Sequence, residues 1–372
     1  MLKLDDERKS TVNSIKPVTD YANYNLFQMD IRYEYNLIQI INEISTYNHS
    51  EHPILNDQIV SAAIFREAMG IPGKIDFNSF GCTAFKMVDN NTVRMGRNYD
   101  FKNDTSCMLV KCHPKGMHSS VAFAALDNIH ANHLDNNYEK YACLAAPFIC
   151  LDGINSAGVS IAVLTLDSEP VFEHDDNKST IATTLAIRAV LDEADSADHA
   201  VRILERYNMY ATGGRDYHFF ILDADGNCRV VEYIYDDESG KRTFKSTYEV
   251  KSYGHKEELQ CATNFFINYI DKVAPGKKNG NYGHGKDRYN AVLDIIDKHN
   301  NNCGNDEVWE ALKASAQLPG DDATSNTQWS VVYENISALN PFSDFNATAQ
   351  IALKRDFRNK WSYDSLKGIR KL

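Results

Sequence analysis

The sequence predicts an α+β protein of antiparallel sheets with helices packed outside them. Three observations point there. Strand-like and helix-like segments come in blocks rather than in strict βαβ alternation. Polar turns at 89–92 and 223–227 join short runs of β-forming residues into hairpins. The chain has 372 residues, 43% hydrophobic and 24% charged, enough to bury one large core or two modest ones.

Residues 1–30 are polar and mixed, with the very start loosely ordered. Tyr33, Leu37, Ile38, Ile40, Ile41 and Ile44 recur at helical spacing and predict a helix over 33–47. Ile59, Ala62, Ala63, Phe65 and Ala68 predict a second over 56–70, stopped by Gly70 and Ile71-Pro72-Gly73. Residues 1–81 thus read as a mostly helical preface. From Cys82 the character changes to strands: 84–88, 93–99 and 119–126. Asp152 to Gly158 reads as a turn before an apolar strand over 159–166. Segments 180–193 and 196–207 read as helices, the second capped by Ser196. Strands are predicted over 217–222, 228–234 and 243–250, and a strand ends at 260–266 in a polar pair. Helices follow over 288–299 and 306–316, then a strand over 327–336 and a basic tail over 346–372.

Bulk properties narrow the function. A net charge of -12 argues against non-specific binding to nucleic acid or to anionic membrane, which both favour basic patches. No apolar run is long enough for a transmembrane helix, and the N-terminus has no signal-peptide pattern. The expectation is a cytoplasmic protein. Its eight cysteines are scattered and contain no C-x-x-C, so seven of them read as buried or idle thiols rather than disulfide or metal partners. His113 to His118 and His174-Asp175-Asp176 read as exposed loop polarity, and no metal or cofactor is predicted.

One stretch carries chemistry. If 89–92 is the loop of a hairpin, Val88 faces Val93, Ala84 faces Arg97, and Asp100 comes opposite the Gly81-Cys82 junction. A thiol, a guanidinium and a carboxylate then meet at one end of a sheet. A thiol needs a base or a cationic neighbour to become thiolate near neutral pH. No histidine is near Cys82 in sequence; His52 and His113 are the closest. A histidine arriving from elsewhere in the fold is one solution. The other is the α-amino group of Cys82 itself, with an intrinsic pKa of about 7.7–8.0. That requires cleavage of the Gly81-Cys82 bond. Gly81 puts no side chain in the way of sulfur attack on its carbonyl. Taken singly, these residues have plainer readings: Arg97 and Asp100 as a surface ion pair, Asn264 as a turn residue, Arg288 as a solvated helix residue.

Six motifs in order resemble the choloylglycine hydrolase group of N-terminal nucleophile hydrolases, which includes bile salt hydrolases and penicillin V acylases. They are Gly81-Cys82-Thr83-Ala84, Gly96-Arg97-Asn98-Tyr99-Asp100, Asp152-Gly153-Ile154-Asn155 with Gly158, the Tyr217 to Glu232 hairpin, Thr263-Asn264 with Arg288, and Trp329 to Tyr333. The likeness runs from Cys82 to about Phe342. It implies a four-layer α-β-β-α sandwich. It also implies that Cys82 is the nucleophile and its amine the acid/base, that Asp100 holds that amine, and that Arg97 and Arg288 favour the thiolate. Asn264 would donate its side-chain N–H to the oxyanion.

Two departures stand out. Where bile salt hydrolases carry an oxyanion asparagine on the strand after the Asn155 turn, this chain has Thr165, so the resemblance assigns Asn155 and Thr165 to substrate or oxyanion contacts. And 81 residues precede the cysteine, as in the acid ceramidase and acyltransferase branch, where a precursor cuts itself. The expected layout is therefore a pro-segment over 1–81, a catalytic domain over 82–345 and a tail over 346–372. The implied activity is hydrolysis of a linear non-peptide amide of a small N-acyl compound through a thioester. Acyl transfer, a papain-like protease and an unprocessed binding protein are the alternatives. Loops 127–140, 167–179 and 275–287 are expected to set specificity, with Gly276 to Gly285 as a lid. A homo-oligomer is left open.

Overall fold

The computed structural model describes residues 4–49, 51–90, 92–235, 242–247, 249–252, 255–258, 260–276, 282–337 and 347–372. Two large sheets dominate them. The first has nine strands, in the order Lys16–Pro17, Leu26–Asp30, Cys107–Cys112, Ser120–Ala125, Cys150–Asn155, Ser160–Leu166, Asp216–Leu222, Cys228–Tyr235 and Arg242–Thr247. The second has seven: Cys261–Ala262, Gly81–Asp89, Thr92–Asp100, Thr327–Glu334, Thr348–Leu353, Lys360–Asp364 and Gly368–Lys371. Neighbours in both are antiparallel, except that Leu26–Asp30 pairs parallel with Cys107–Cys112.

The sheets face each other. Cys82 and Arg97 of the second sheet reach Val163 and Asp152 of the first. Helices Thr183–Glu193 and Ala197–Glu205 cover the outer face of the first sheet. Helices Lys286–Lys298 and Asn305–Ala314 cover the second. This is the α-β-β-α sandwich. It explains why Ser160–Leu166 and Asp216–Leu222 are buried at every position: each has a sheet on one face and a helix layer on the other.

The local readings hold where local chemistry decides. Ser196 accepts from the His199 N–H and starts a helix whose Ala200, Val201, Ile203 and Leu204 are buried. The first two predicted helices are Leu37–Ser45 and Asp57–Met69, the latter ended by Gly70 at φ +74°. Other segments differ. Cys150–Asn155 is a strand, and only the three residues after it turn. Thr180–Ala182 is a strand paired with Asn208–Tyr210, and the helix begins at Thr183.

The preface and the tail differ most. Leu26–Asp30 is an internal strand of the nine-stranded sheet, so residues 1–81 are woven into the fold and are not only helical. The expected tail contains three strands that complete the second sheet. Ala349, Ile351, Trp361 and Tyr363 are buried while residues between them are less so, a period of two that the basic composition had masked. The expected lid over 276–285 lies partly outside the described residues, at 277–281, as does the domain boundary near 345. Among the described residues no helix is long and apolar enough to cross a membrane.

Candidate active site

The hairpin forms in the expected register. Val88 pairs with Val93, Ala84 with Arg97, Cys82 with Tyr99 and Gly81 with Asp100. The pairing continues to Asp89 and Thr92, so the turn is tighter than the four residues expected, with Asn90 at φ +35°. Asparagine tolerates that left-handed backbone better than most side chains.

Cys82 is fully buried, in the strand that begins at Gly81. Its thiol donates to the Val163 carbonyl at 3.5 Å, and its backbone N–H donates to Asn264 Oδ1 at 2.9 Å. Its carbonyl accepts from Arg288 Nη1. Burial pushes the thiol up to about 12; Arg97 and Arg288 oppose the rise and Asp100 adds to it. In this uncut chain the sulfur is therefore a neutral thiol.

Arg97 is not a surface residue. Its Nη2 donates to the same Val163 carbonyl at 3.2 Å, and its Nε lies 3.3 Å from Asp152 Oδ2, with both side chains fully buried. Asp152 also accepts from the Tyr333 hydroxyl. A buried guanidinium needs such a counter-charge, because desolvating it alone is prohibitive.

Asp100 accepts from Thr327 Oγ1 at 2.6 Å through one oxygen. Its other oxygen, Oδ2, is buried, has no hydrogen-bond partner and lies 3.6 Å from Arg288 Nη1. Burial pushes this carboxyl upward, against the pull of Arg288 and Thr327. Arg288 reaches in from the first turn of its helix and donates to Thr83 Oγ1 at 3.1 Å and Asn264 Oδ1 at 2.6 Å. Gly285 makes room for it. A Cβ there would meet Arg288 Nη2 at 2.6 Å, and φ is +95°. Gly81 is constrained likewise, since a Cβ would lie 2.7 Å from the Thr324 carbonyl oxygen.

Asn264 is oriented differently from expectation. Its Oδ1 faces two donors, Cys82 N–H and Arg288, and its Nδ2 donates to the Thr165 carbonyl at 2.7 Å. Arg288 can only donate, so the amide cannot be turned round. One of its two N–H groups is therefore engaged by the Thr165 carbonyl. Thr165 belongs to the site through that carbonyl, and its buried hydroxyl has no partner. Asn155 does not belong. Its amide donates to Leu191 O and Ala194 O, and its oxygen accepts from the Ala157 and Val159 N–H groups. It pins a turn about four strand residues, or ~13 Å, from the level of Val163.

The sequence reading missed five participants: Val163, Thr327, Asp152, His218 and Glu232. Buried His218 sits 2.7 Å from the Thr263 carbonyl through Nε2 and 3.0 Å from Glu232 Oε1 through Nδ1. Glu232 also accepts from the Ile267 N–H at 2.7 Å. The segment leading into Asn264 is thereby fixed from behind. Asp152 and Glu232 stood inside quoted motifs, so their presence was legible although their partners were not. All eight cysteines are buried and free. Among the described residues no His/Cys/Asp/Glu cluster could hold a metal ion.

A thiol next to a glycyl carbonyl in the chain, with a carboxylate oxygen that accepts no hydrogen bond across the strand and two guanidinium groups nearby, can perform acyl chemistry at sulfur. A family model described as acyl-coenzyme A:6-aminopenicillanic acid acyl-transferase matches residues 87–336, beginning five residues after Cys82. No curated protein sequence matches the chain. The solved penicillin V acylase from Agrobacterium tumefaciens aligns with a TM-score of 0.53 at 17% identity, covering 78% of this chain and 91% of that one. A mutant of the conjugated bile acid hydrolase from Clostridium perfringens aligns at 0.48 and 14%, covering 78% and 96%. At these identities the likeness is one of fold.

Proposed function

Since the chain belongs to the acyl-coenzyme A:6-aminopenicillanic acid acyl-transferase family, within the choloylglycine hydrolase group of N-terminal nucleophile hydrolases, we propose that it is a cysteine amidohydrolase activated by cutting itself between Gly81 and Cys82. Its substrate would be a linear N-acyl amide of the kind its relatives' names denote, a penicillin V or a conjugated bile acid among them. The observation that carries this reading is Asp100 Oδ2: a buried carboxylate oxygen without a hydrogen-bond donor, across the strand from the Gly81-Cys82 bond. Buried carboxylate oxygens rarely go unpaired. A free amine on Cys82 would supply the missing donor.

In self-cleavage the Cys82 sulfur bonds to the Gly81 carbonyl carbon and the Gly81-Cys82 C–N bond breaks. The thiol proton goes to the departing nitrogen, which becomes an amine. Water then adds hydroxyl to the carbonyl carbon and returns a proton to sulfur, leaving a Gly81 carboxylate and a free Cys82. Turnover repeats the sequence on a substrate amide, with the new amine relaying the proton between sulfur and leaving group. Arg97 and Arg288 place positive charge beside the sulfur. Once the chain is cut, Asn264 and the neighbouring backbone are candidates for holding the oxyanion.

N-terminal sequencing tests the proposal. An active preparation should contain a fragment beginning Cys82-Thr83-Ala84. Full activity in a chain intact from Met1 would overturn the free-amine mechanism. Cys82→Ser should slow or abolish both cleavage and turnover. The family description favours a second reading, in which an amine rather than water takes the acyl group from sulfur. Added amine acceptors would then divert product from free acid to a new amide.

A further inference from the structure

We infer that the seat of the Phe80 side chain is the acyl-group subsite of the cut enzyme, and that it fits an unbranched acyl group ending in an aromatic ring. This rests on the reading of Cys82 as nucleophile. Gly81 is the acyl half of the bond to be cut. The thioester of self-cleavage therefore joins the same sulfur to a carbonyl as the thioester of turnover does. Whatever lies behind the Gly81 carbonyl lies where a substrate's acyl chain must lie.

What lies there is built like a bound ligand. Phe80 is 5% exposed, with its ring 5.5 Å from that of Tyr99 and 5.9 Å from that of Tyr217. Beside it is a small cavity whose lining includes Phe77, Leu151, Val163 and Tyr217 as well as Phe80 itself, with asparagine and threonine side chains completing it. Val163 is the residue whose carbonyl accepts from the Cys82 thiol, so the cavity adjoins the nucleophile. Residues 73–80 form no helix or strand. They have no ladder or helix bonds of their own and are held by side contacts: the Ile75 N–H to Ser61 Oγ, the Asp76 N–H to the Asn128 carbonyl, the Asn78 amide to Asn128 Oδ1 and an Asp76–His130 ion pair. By contrast, residues 26–30 are anchored in a sheet. Cutting after Gly81 frees the weakly held end while leaving the anchor, so Phe80 can leave its seat without the fold coming apart.

The peptide gives the span of the acyl group. From the Gly81 carbonyl carbon, the chain passes through Gly81 Cα and N, then the Phe80 carbonyl carbon, Cα and Cβ, before the ring. A 6-phenylhexanoyl group has the same reach. It also has no branch next to the carbonyl, where a Cβ on Gly81 would meet the Thr324 carbonyl oxygen at 2.7 Å.

The test uses processed enzyme, verified to start at Cys82, and 4-nitroanilides differing only in the acyl group. The 6-phenylhexanoyl compound should exceed the phenylacetyl and acetyl compounds in kcat/KM by tenfold or more. Its 2-methyl derivative, in the configuration of an L-residue, should fall by tenfold or more. If acetyl or phenylacetyl anilide is cleaved through Cys82 as fast as 6-phenylhexanoyl, or the methyl group is tolerated, the subsite is wrong and the amidohydrolase reading stands. If no anilide is cleaved and Cys82→Ser changes nothing, the nucleophile reading falls and takes the subsite with it.

Discussion

The thiol of Cys82 and the guanidinium of Arg97 share one acceptor, the Val163 carbonyl, at 3.5 and 3.2 Å. The sulfur and the positive charge are thus held side by side on a strand of the opposite sheet. The thiol is kept neutral by burial although a cation is adjacent. Under the proposed self-cleavage, the behaviour of this thiol should change once the bond before Cys82 is cut.

Alkylation should report that change. With the thiol pushed up to about 12, the uncut chain holds almost no thiolate at neutral pH. Iodoacetamide should label Cys82 in the uncut chain only very slowly near neutral pH, because the thiol is both protonated and fully buried. In the cut enzyme, labelling near pH 7.5 should already be fast. Mass spectrometry separates the two species in one sample. Equal rates at pH 7.5 would contradict the assignment.

Arg97→Leu should be costly even before activity is considered. It leaves Asp152 buried with its charge uncompensated, which typically destabilises by about 3–5 kcal/mol. Urea unfolding would show a lower midpoint, and Asp152→Asn in the same chain should recover part of the loss. Arg97→Lys keeps the charge but not the planar fork that serves Val163 and Asp152 together, so stability should fall less than turnover.

Thr327→Val removes the 2.6 Å donor to Asp100. Thr327 holds the Asp100 carboxyl down against burial, so its loss should move that carboxyl further upward. A more easily protonated Asp100 orients an amine less well. Turnover by enzyme verified to start at Cys82 should be about tenfold lower at pH 6, with a smaller deficit at pH 8, where the carboxylate is restored. About 1 kcal/mol of stability should be lost with the hydrogen bond. A deficit independent of pH would argue that Thr327 is only structural.

The cut should not separate the two pieces. Leu26–Asp30 pairs with Cys107–Cys112, and Tyr33 donates to the Leu144 carbonyl at 2.6 Å, so residues 1–81 stay joined to the rest by buried contacts. Gel filtration in buffer should show one peak containing both fragments, and denaturant should resolve them. Two peaks in buffer would mean that the first strand is dispensable.

The hairpin around Cys82 was readable from the residues because it is local. A polar turn and a strand period of two set which residue faces which, and the observed partners of Ala84 and Val88 follow from counting. Ser196 and Gly70 were readable for the same reason, each acting within a few residues of itself. The contacts between sheets were not. That Arg97 meets Asp152 and that Asn264 gives an N–H to Thr165 depend on how the layers stack, and that Thr327 meets Asp100 depends on which distant strand pairs beside the hairpin; strand period carries information about neither. Asn155 was assigned to the site by motif, yet its side chain is consumed by its own turn. The tail after residue 346 looked merely charged, although its strands pair onto neighbouring Thr327–Glu334 and so complete a sheet that also holds the distant Gly81–Asp89 and Thr92–Asp100. By itself, the sequence determined the thiol, the guanidinium, the carboxylate and their register. Tertiary structure alone decided which of them are buried, which are neutralised and which oxygen remains unpaired, because burial and counter-charge are supplied by the opposite layer.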